Sequence, residues 1–327
     1  MIDEKLKEEW EEFAAAEDES PMDLDKNIKL LKRLEKPDRR IDVVLDTDTY
    51  NEIDDQYALA YMLNSDEKLN VKAIYAAPFV NCKSNGPEDG MEKSYAEILH
   101  VLKLMGREEM ADSVYKGSGA FLPDEKTPVI SEAAEHLAAY AMNYTEENPL
   151  YVVGIAAITN VASAILLNPD IIDRIVIVWL GGNLLSWPNN KEYNLYEDIA
   201  AARVVFGCGA ALVQLPCMGV VSSFTVSGPE LETHLRGRNE LCDYLVDVTT
   251  REAEACGGGP TWSRPIWDVT AVGWLLSEEF MNDRIDYAPV PEYDNRYAYR
   301  KNGSFYKYVY YINRDKLLED LVNKLRK

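Results

Sequence analysis

Four aspartates and one glutamate fall within ten residues: Asp46, Asp48, Glu52, Asp54 and Asp55. They follow the apolar run Val43-Val44-Leu45 and precede Ala58, Leu59, Tyr61, Met62 and Leu63. The first run reads as a buried strand and the second as an apolar-periodic helix. One carboxylate at the helix start would be an ordinary N-terminal cap. Four aspartates packed where a buried strand ends repel one another unless a cation or a proton lies among them. Oxygen-only donors select a hard ion, Ca²⁺ or Mg²⁺, over zinc or copper. The expectation is a divalent-metal site at a strand end.

Three later stretches also place polar groups after apolar runs. Val152-Val153-Gly154 leads to Thr159-Asn160. This pair reads as a helix cap, or as a turn whose main-chain carbonyl faces the ion. The run from Ile175 ends in Gly181-Gly182-Asn183 and continues to Glu192-Tyr193-Asn194. Its glycines allow a tight strand exit. Glu and Asn together can grip vicinal hydroxyls, because a carboxylate accepts and an amide both donates and accepts; loop solvation and capping compete with that reading. Last, Gly257-Gly258-Gly259-Pro260 reads as a loop before Trp267 and Asp268. Asp268 opens a helix, where a cap is the plain alternative. Trp267 is either core or one wall of a pocket for a flat ring.

The elements that must hold these groups alternate from residue 41 onward. Strands are expected at 41–47, 71–77, 150–154, 174–180 and 211–215. Helices are expected at 55–64, 91–105, 131–147, 159–167, 197–206, 238–254 and 268–277. That alternation specifies an α/β domain over residues 41–327 with a mainly parallel, doubly wound, Rossmann-like sheet flanked by helices. In such a sheet, ligands sit at the carboxyl ends of the strands, where the aspartates lie. Tyr297 to Tyr310 carries Asn302-Gly303 between alternating runs, a β-hairpin signal, and a last helix follows at 314–326. Residues 1–40 read as an appended helical arm, with Leu6, Trp10 and Phe13, then Ile28, Leu30, Leu31 and Leu34, on either side of Ser20-Pro21.

Of 327 residues, 47% are hydrophobic, and the net charge is -22. So large a negative charge argues against a general nucleic-acid or anionic-membrane binder. The five cysteines show no CxxC spacing, so a reducing compartment is the default. The first residues lack a secretory signal, and the apolar stretch from Ala210 to Val221 is too short to span a bilayer. The expected location is cytoplasmic.

Taken together, these segments resemble the inosine–uridine-type nucleoside hydrolase family. Its opening signature is an apolar strand, Asp-x-Asp, a short turn, and Asp-Asp at a helix start. Asp46, Asp48, Asp54 and Asp55 match it, although the intervening loop is two residues longer and lacks the usual Pro-Gly. Thr159-Asn160, Gly181-Gly182-Asn183, Glu192-Tyr193-Asn194 and the Asp268 helix start match later segments in order, over about residues 41–280. The resemblance implies an N-ribohydrolase that cleaves a ribonucleoside or related N-riboside with a Ca²⁺-bound water. It implies that Asp48, Asp55, the Thr159 carbonyl and Asp268 hold the ion. Asp48 would be the general base, and Asp46 would support the loop. Asp54, Asn183, Glu192, Asn194 and Asp268 would hold the sugar. Pro78-Phe79-Val80-Asn81 replaces the usual turn after the second strand, and Asn81 takes the place of an asparagine that contacts ribose. Homodimers or homotetramers are common in the family.

The chemistry fits the residues: N-glycosidic cleavage passes through an oxocarbenium-like sugar, which a negative cluster stabilises. One departure stands out. Many members carry a histidine just before the aspartate matched by Asp268, as acid to the departing base; here Trp267 stands there, and an indole N–H does not titrate. His100, His136 and His234 fall outside the matched segments and read as helix-surface residues. A tyrosine from the 238–254 helix or the tail hairpin, Arg264, or no acid at all would then serve the leaving group. Two other readings compete with this one. A haloacid-dehalogenase-like phosphatase wants Thr or Val where Tyr50 stands. A non-catalytic binder of ribosyl ligands on the same scaffold needs no acid.

Overall fold

The computed structural model describes residues 24–299 and 303–327. Its strands are β1 (Ile41–Thr47), β2 (Leu69–Ala76), β3 (Val114–Lys116), β4 (Leu150–Gly154), β5 (Ile175–Leu180), β6 (Ala211–Leu215), β7 (Thr225–Ser227), β8 (Ser263–Pro265), β9 (Met281–Tyr287), β10 (Val290–Pro291), β11 (Tyr297–Ala298) and β12 (Phe305–Ile312). Its α-helices are α1 (Leu24–Arg33), α2 (Asp54–Leu63), α3 (Pro87–Leu104), α4 (Glu132–Tyr140), α5 (Thr159–Leu167), α6 (Tyr193–Glu197), α7 (Ile199–Gly207), α8 (Gly228–His234), α9 (Glu240–Ala255), α10 (Val269–Leu276) and α11 (Arg314–Leu325).

Eight strands among the described residues form one sheet in the order β3-β2-β1-β4-β5-β6-β12-β9. The pairs from β3 through β12 are parallel, and β9 runs antiparallel to β12 at the edge. Strand order reverses direction at β1 and β4, the topological switch point where such sheets bind ligands. The central strands β4, β5 and β6 are buried along their whole length and largely apolar because both faces are covered. Val43 and Leu45 of β1 enter one core with Val176, Val178 and Leu180 of β5. Val44 enters the other, with Ile175, Ile177 and Trp179. Alternate side chains of each strand thus feed opposite layers.

α2 is buried along all ten residues. A helix apolar on every side belongs inside a domain, and α2 lies in the first core with its Asp54-Asp55 end at the β1 exit. The arm is only partly described: Leu6, Trp10, Phe13 and Ser20-Pro21 lie outside the described residues. α1 packs near β6 and β12, and Leu30, Leu31 and Leu34 are buried in the same core as β1.

The expected antiparallel C-terminal pair is present, with its partners exchanged. β12 pairs with β9, and Tyr297-Ala298 pairs instead with Val290-Pro291. Asn302 lies outside the described residues. β3 and β9 went unanticipated. β3 has three residues, and the β9 sequence Met-Asn-Asp-Arg-Ile-Asp-Tyr is mostly polar, as an edge strand permits. The helix expected at 197–206 is divided at Asp198, whose side chain accepts from Ala201 N and caps α7. The helix expected to reach residue 147 ends at Tyr140 and a 3₁₀ turn over Ala141–Asn143.

Candidate active site

A cavity of about 220 Å³ opens at the carboxyl ends of β1, β4, β5 and β6. Asp48, Asp54, Asp55, Asn183, Glu192, Asn194, Trp267 and Asp268 all line it, so the structure joins residues more than 200 positions apart in the chain. A larger, open groove of about 1070 Å³ runs beside α1, β9 and β12. Its wall pairs basic groups with carboxylates, as Lys36 and Lys307 with Asp283, whereas the carboxylates that crowd together without a cation line the smaller cavity.

Asp54, Asp55 and Asp268 each present an oxygen within 4.8 Å of the others, and all three are buried. Capping does not explain them. The residue before α2 is Ile53, with no side-chain cap bond, and Asp268 makes no cap bond at the start of α10. Asp54 Oδ2 instead accepts from the Asp268 amide at 3.2 Å. Asp55 Oδ1 accepts from Thr47 Oγ1 at 2.5 Å, while Asp55 Oδ2 is buried without a hydrogen-bond partner. A buried polar atom without a partner is costly and implies a missing ligand such as an ion.

Asp48 is 1% exposed. Its Oδ2 accepts from Asn51 Nδ2 at 3.0 Å, and Asn51 Oδ1 accepts from Asn81 Nδ2 at 2.7 Å. Burial, then the charges of Asp55, Glu197 and Asp54, hold the Asp48 carboxyl well above the ordinary carboxylate range. Asp54 is raised by burial and then by the charges of Asp55 and Glu52, with the bond from the Asp268 amide opposing; Asp268 is raised by burial and then by Asp54, Asp55 and Asp48. Asp55 is pushed up to about 6 by burial, with the bond from Thr47 opposing. Carboxyls in this condition stay ionised together only beside a positive charge. The donors are all hard oxygens, so the residues fit a hard divalent cation.

Glu192, Asn183 and Asn194 are anchored by the backbone. Glu192 Oε2 accepts from the amides of Gly182 at 2.8 Å and Leu195 at 3.0 Å, and Oε1 accepts from Asn194 at 3.1 Å. Glu192 therefore does cap α6 while lining the cavity. Burial pushes its carboxyl up to about 7 despite those bonds. Gly182 has φ +76, and a Cβ there would lie 2.1 Å from the Tyr297 hydroxyl. Asn183 Oδ1 accepts from the Met218 amide at 3.1 Å, and Asn194 Nδ2 donates to the Leu180 carbonyl at 3.1 Å.

Two expected residues are not on the wall. Asn81 stands one hydrogen bond behind it, against Asn51. Thr159 opens α5 and donates its hydroxyl to Asp198 Oδ2 at 2.7 Å; the residue leaving β4 that reaches the cavity is Ile155. Asp46 accepts from Asn160 Nδ2 at 2.8 Å behind the site. The leaving-group candidates also lie elsewhere. Arg264 pairs with Glu252 at 2.7 Å, Tyr244 bonds Glu97, and Tyr297 accepts from Gln214. Among the described residues no histidine lines the cavity. His136 is stacked between Tyr115 and Tyr140.

Sequence reasoning missed Asn51, Ile155, Lys191, Tyr193, Cys217 and Met218 on the wall. Cys217-Met218 follow β6 directly, so the strand-end rule applied to them as well.

The profile of the family described as inosine-uridine preferring nucleoside hydrolase matches residues 43–301. The chain belongs to this family. As a nucleoside hydrolase it is an enzyme that hydrolyses N-glycosyl compounds. The pyrimidine-specific ribonucleoside hydrolase RihA of Salmonella paratyphi A is 26% identical over 266 residues, covering 72% of this chain and 80% of that protein. The plant nucleoside hydrolase PpNRh1 shares the fold at a TM-score of 0.69 and 20% identity, over 88% of this chain and 99% of that one. A purine-preferring ribonucleoside hydrolase from Gardnerella vaginalis does so at 0.69 and 19%, over 87% and 98%. Among the described residues, no helix of this nucleoside hydrolase is long and apolar enough to cross a membrane.

Proposed function

We propose that the enzyme is a Ca²⁺-dependent N-ribohydrolase that cleaves the N-glycosidic bond of a ribonucleoside, with Asp48 as general base. The observation that carries this reading is the buried oxygen cluster Asp54, Asp55 and Asp268 beside Asp48, with Asp55 Oδ2 lacking any partner. Asp48, Asp55 and Asp268 would hold the ion together with a main-chain oxygen, which we assign to Ile155 because Thr159 is drawn into α5. The ion, when bound, supplies positive charge that keeps the carboxylates ionised and acidifies a water.

The chain's own groups do the rest. Asp48 removes a proton from the attacking water, and Asn51, braced by Asn81, fixes the orientation of its carboxylate. Asn81 is on this view a positioning residue. Asp54, Asn183, Glu192, Asn194 and Asp268 hold the sugar hydroxyls, and Trp267 forms a wall for the base. The concentrated negative charge favours the positive character that develops at the sugar ring. Residues 41–327 act as one catalytic domain, with residues 1–40 as an extension; a homodimer or homotetramer in the cytoplasm goes with this reading.

A reducing-sugar assay over a nucleoside panel, with Ca²⁺ and with chelator, tests it. Ribose release that stops on chelation and returns with Ca²⁺ is expected; no release from any nucleoside would sink it. One observation favours a second reading, a non-catalytic ribosyl-ligand binder: no histidine lines the cavity among the described residues. Calorimetric nucleoside binding without turnover would select it.

A further inference from the structure

The reading above leaves the departing base unattended, and the inference that follows rests on that reading. When the C1′–N bond breaks, the bonding pair goes to nitrogen, and the base leaves as an anion unless a proton meets it. Few groups on the cavity wall can deliver one. The Tyr193 hydroxyl is committed to the Val80 carbonyl at 3.0 Å. Burial and nearby carboxylates push the Cys217 thiol up, leaving an uncharged, weak donor. Trp267 Nε1 is buried within the wall and does not titrate.

Lys191 differs from all of these. It is the one cationic side chain on the wall among the described residues, and it is exposed. Several carboxylates share the wall, yet Lys191 forms no ion pair among the described residues. Its Nζ lies 4.6 Å from the centre of the Tyr196 ring, a contact that steadies an ammonium without consuming its N–H donors. It directly precedes Glu192, so one short loop carries both.

We propose that Lys191 is the acid that protonates the leaving base. The water oxygen bonds C1′ and Asp48 takes a water proton. The C1′–N pair passes to the base, which receives a proton from Lys191 Nζ. The resulting neutral amine recovers its proton from Asp48 through solvent, which closes the cycle.

The test compares kcat of the full chain with Ca²⁺ on p-nitrophenyl riboside and on the fastest of inosine, uridine, cytidine, adenosine and guanosine. The nitrophenolate leaves without protonation. Lys191→Met is expected to lose about 100-fold or more on the nucleoside, the scale of general acid catalysis. Its loss on p-nitrophenyl riboside is expected to stay within about 3-fold, because no acid is needed there. Lys191→Arg keeps the charge but does not give up a proton, and is expected to be as slow as Lys191→Met on the nucleoside. Losses that match on both substrates, no loss on either, or recovery in Lys191→Arg would overturn the assignment. A parent enzyme that cuts neither substrate would overturn the underlying N-ribohydrolase reading as well.

Discussion

In the proposed reaction Asp48 carries the heaviest burden of any single residue, and the asparagine pair behind it would determine how well it does so. Asp48→Ala should lower kcat by about 100-fold or more while far-UV circular dichroism stays unchanged, since a missing base costs rate rather than fold. Wild-type turnover in that variant would refute the assignment. Trp267→Ala should alter relative kcat/KM among purine and pyrimidine nucleosides more than it alters the calcium requirement; an unchanged base ranking would move Trp267 into the core. Glu192 yields a pH prediction. Burial pushes its carboxyl up to about 7 in the folded chain, while an unfolded glutamate titrates near 4.3. Between those values the folded state holds the extra proton, so its stabilising share is full at the acid end and is lost as pH rises toward 7. In chelator-treated protein, Glu192→Gln should therefore gain on the parent by up to about 3 kcal/mol between pH 4.5 and 8, read from urea midpoints. A gap that does not move with pH would mean the carboxyl is ionised throughout. Asp48, Asp54 and Asp55 were legible because like charges crowd at a strand end, whereas Glu192 and Asp268 read equally as caps and gained a role only from the family resemblance. Lys191 was not legible, because one lysine in a polar loop has no spacing to mark it.

At the scale of elements, strands buried on both faces announced themselves, and edges did not. β1, β4, β5 and β6 lie where apolar runs placed them, whereas β3 and β9 draw stability from neighbours rather than from their own composition. Main-chain contributions were equally hidden. Whether Thr159 or Ile155 turns an oxygen to the site depends on the residue at which the β4 exit becomes helix, which side-chain pattern leaves open by a few positions. The β5 exit makes a test of its own. Gly182→Ala would force φ +76 on a residue with a Cβ and drive that atom into the Tyr297 hydroxyl. A stability loss of about 1–3 kcal/mol is expected, seen as a lower denaturation midpoint, together with a raised KM because Glu192 hangs from the Gly182 amide. Parental midpoint and KM would show that the exit yields without cost.

For the molecule as a whole, the ion would act as a structural element, since it would offset repulsion among carboxylates at the exit of β1, the start of α2 and the residue before α10. Chelation should lower the melting temperature, and Ca²⁺ at 100 times its Kd should restore about 3 kcal/mol. A melting curve indifferent to both treatments would remove the ion from the account. The doubly wound order was readable from alternation, but the partner of β12 was not, because an Asn-Gly turn signals a hairpin without excluding a more distant strand.

The burial of α2 along its whole length has a further consequence. No face of this helix can be exposed to water by a local fluctuation without opening the core on that side, so its peptide hydrogens should be released only in the rare event that dissolves the entire domain. In deuterium oxide they should be among the last to be replaced, at a rate that tracks global unfolding. Asp54 and Asp55 would then be held in register for as long as the protein is folded at all.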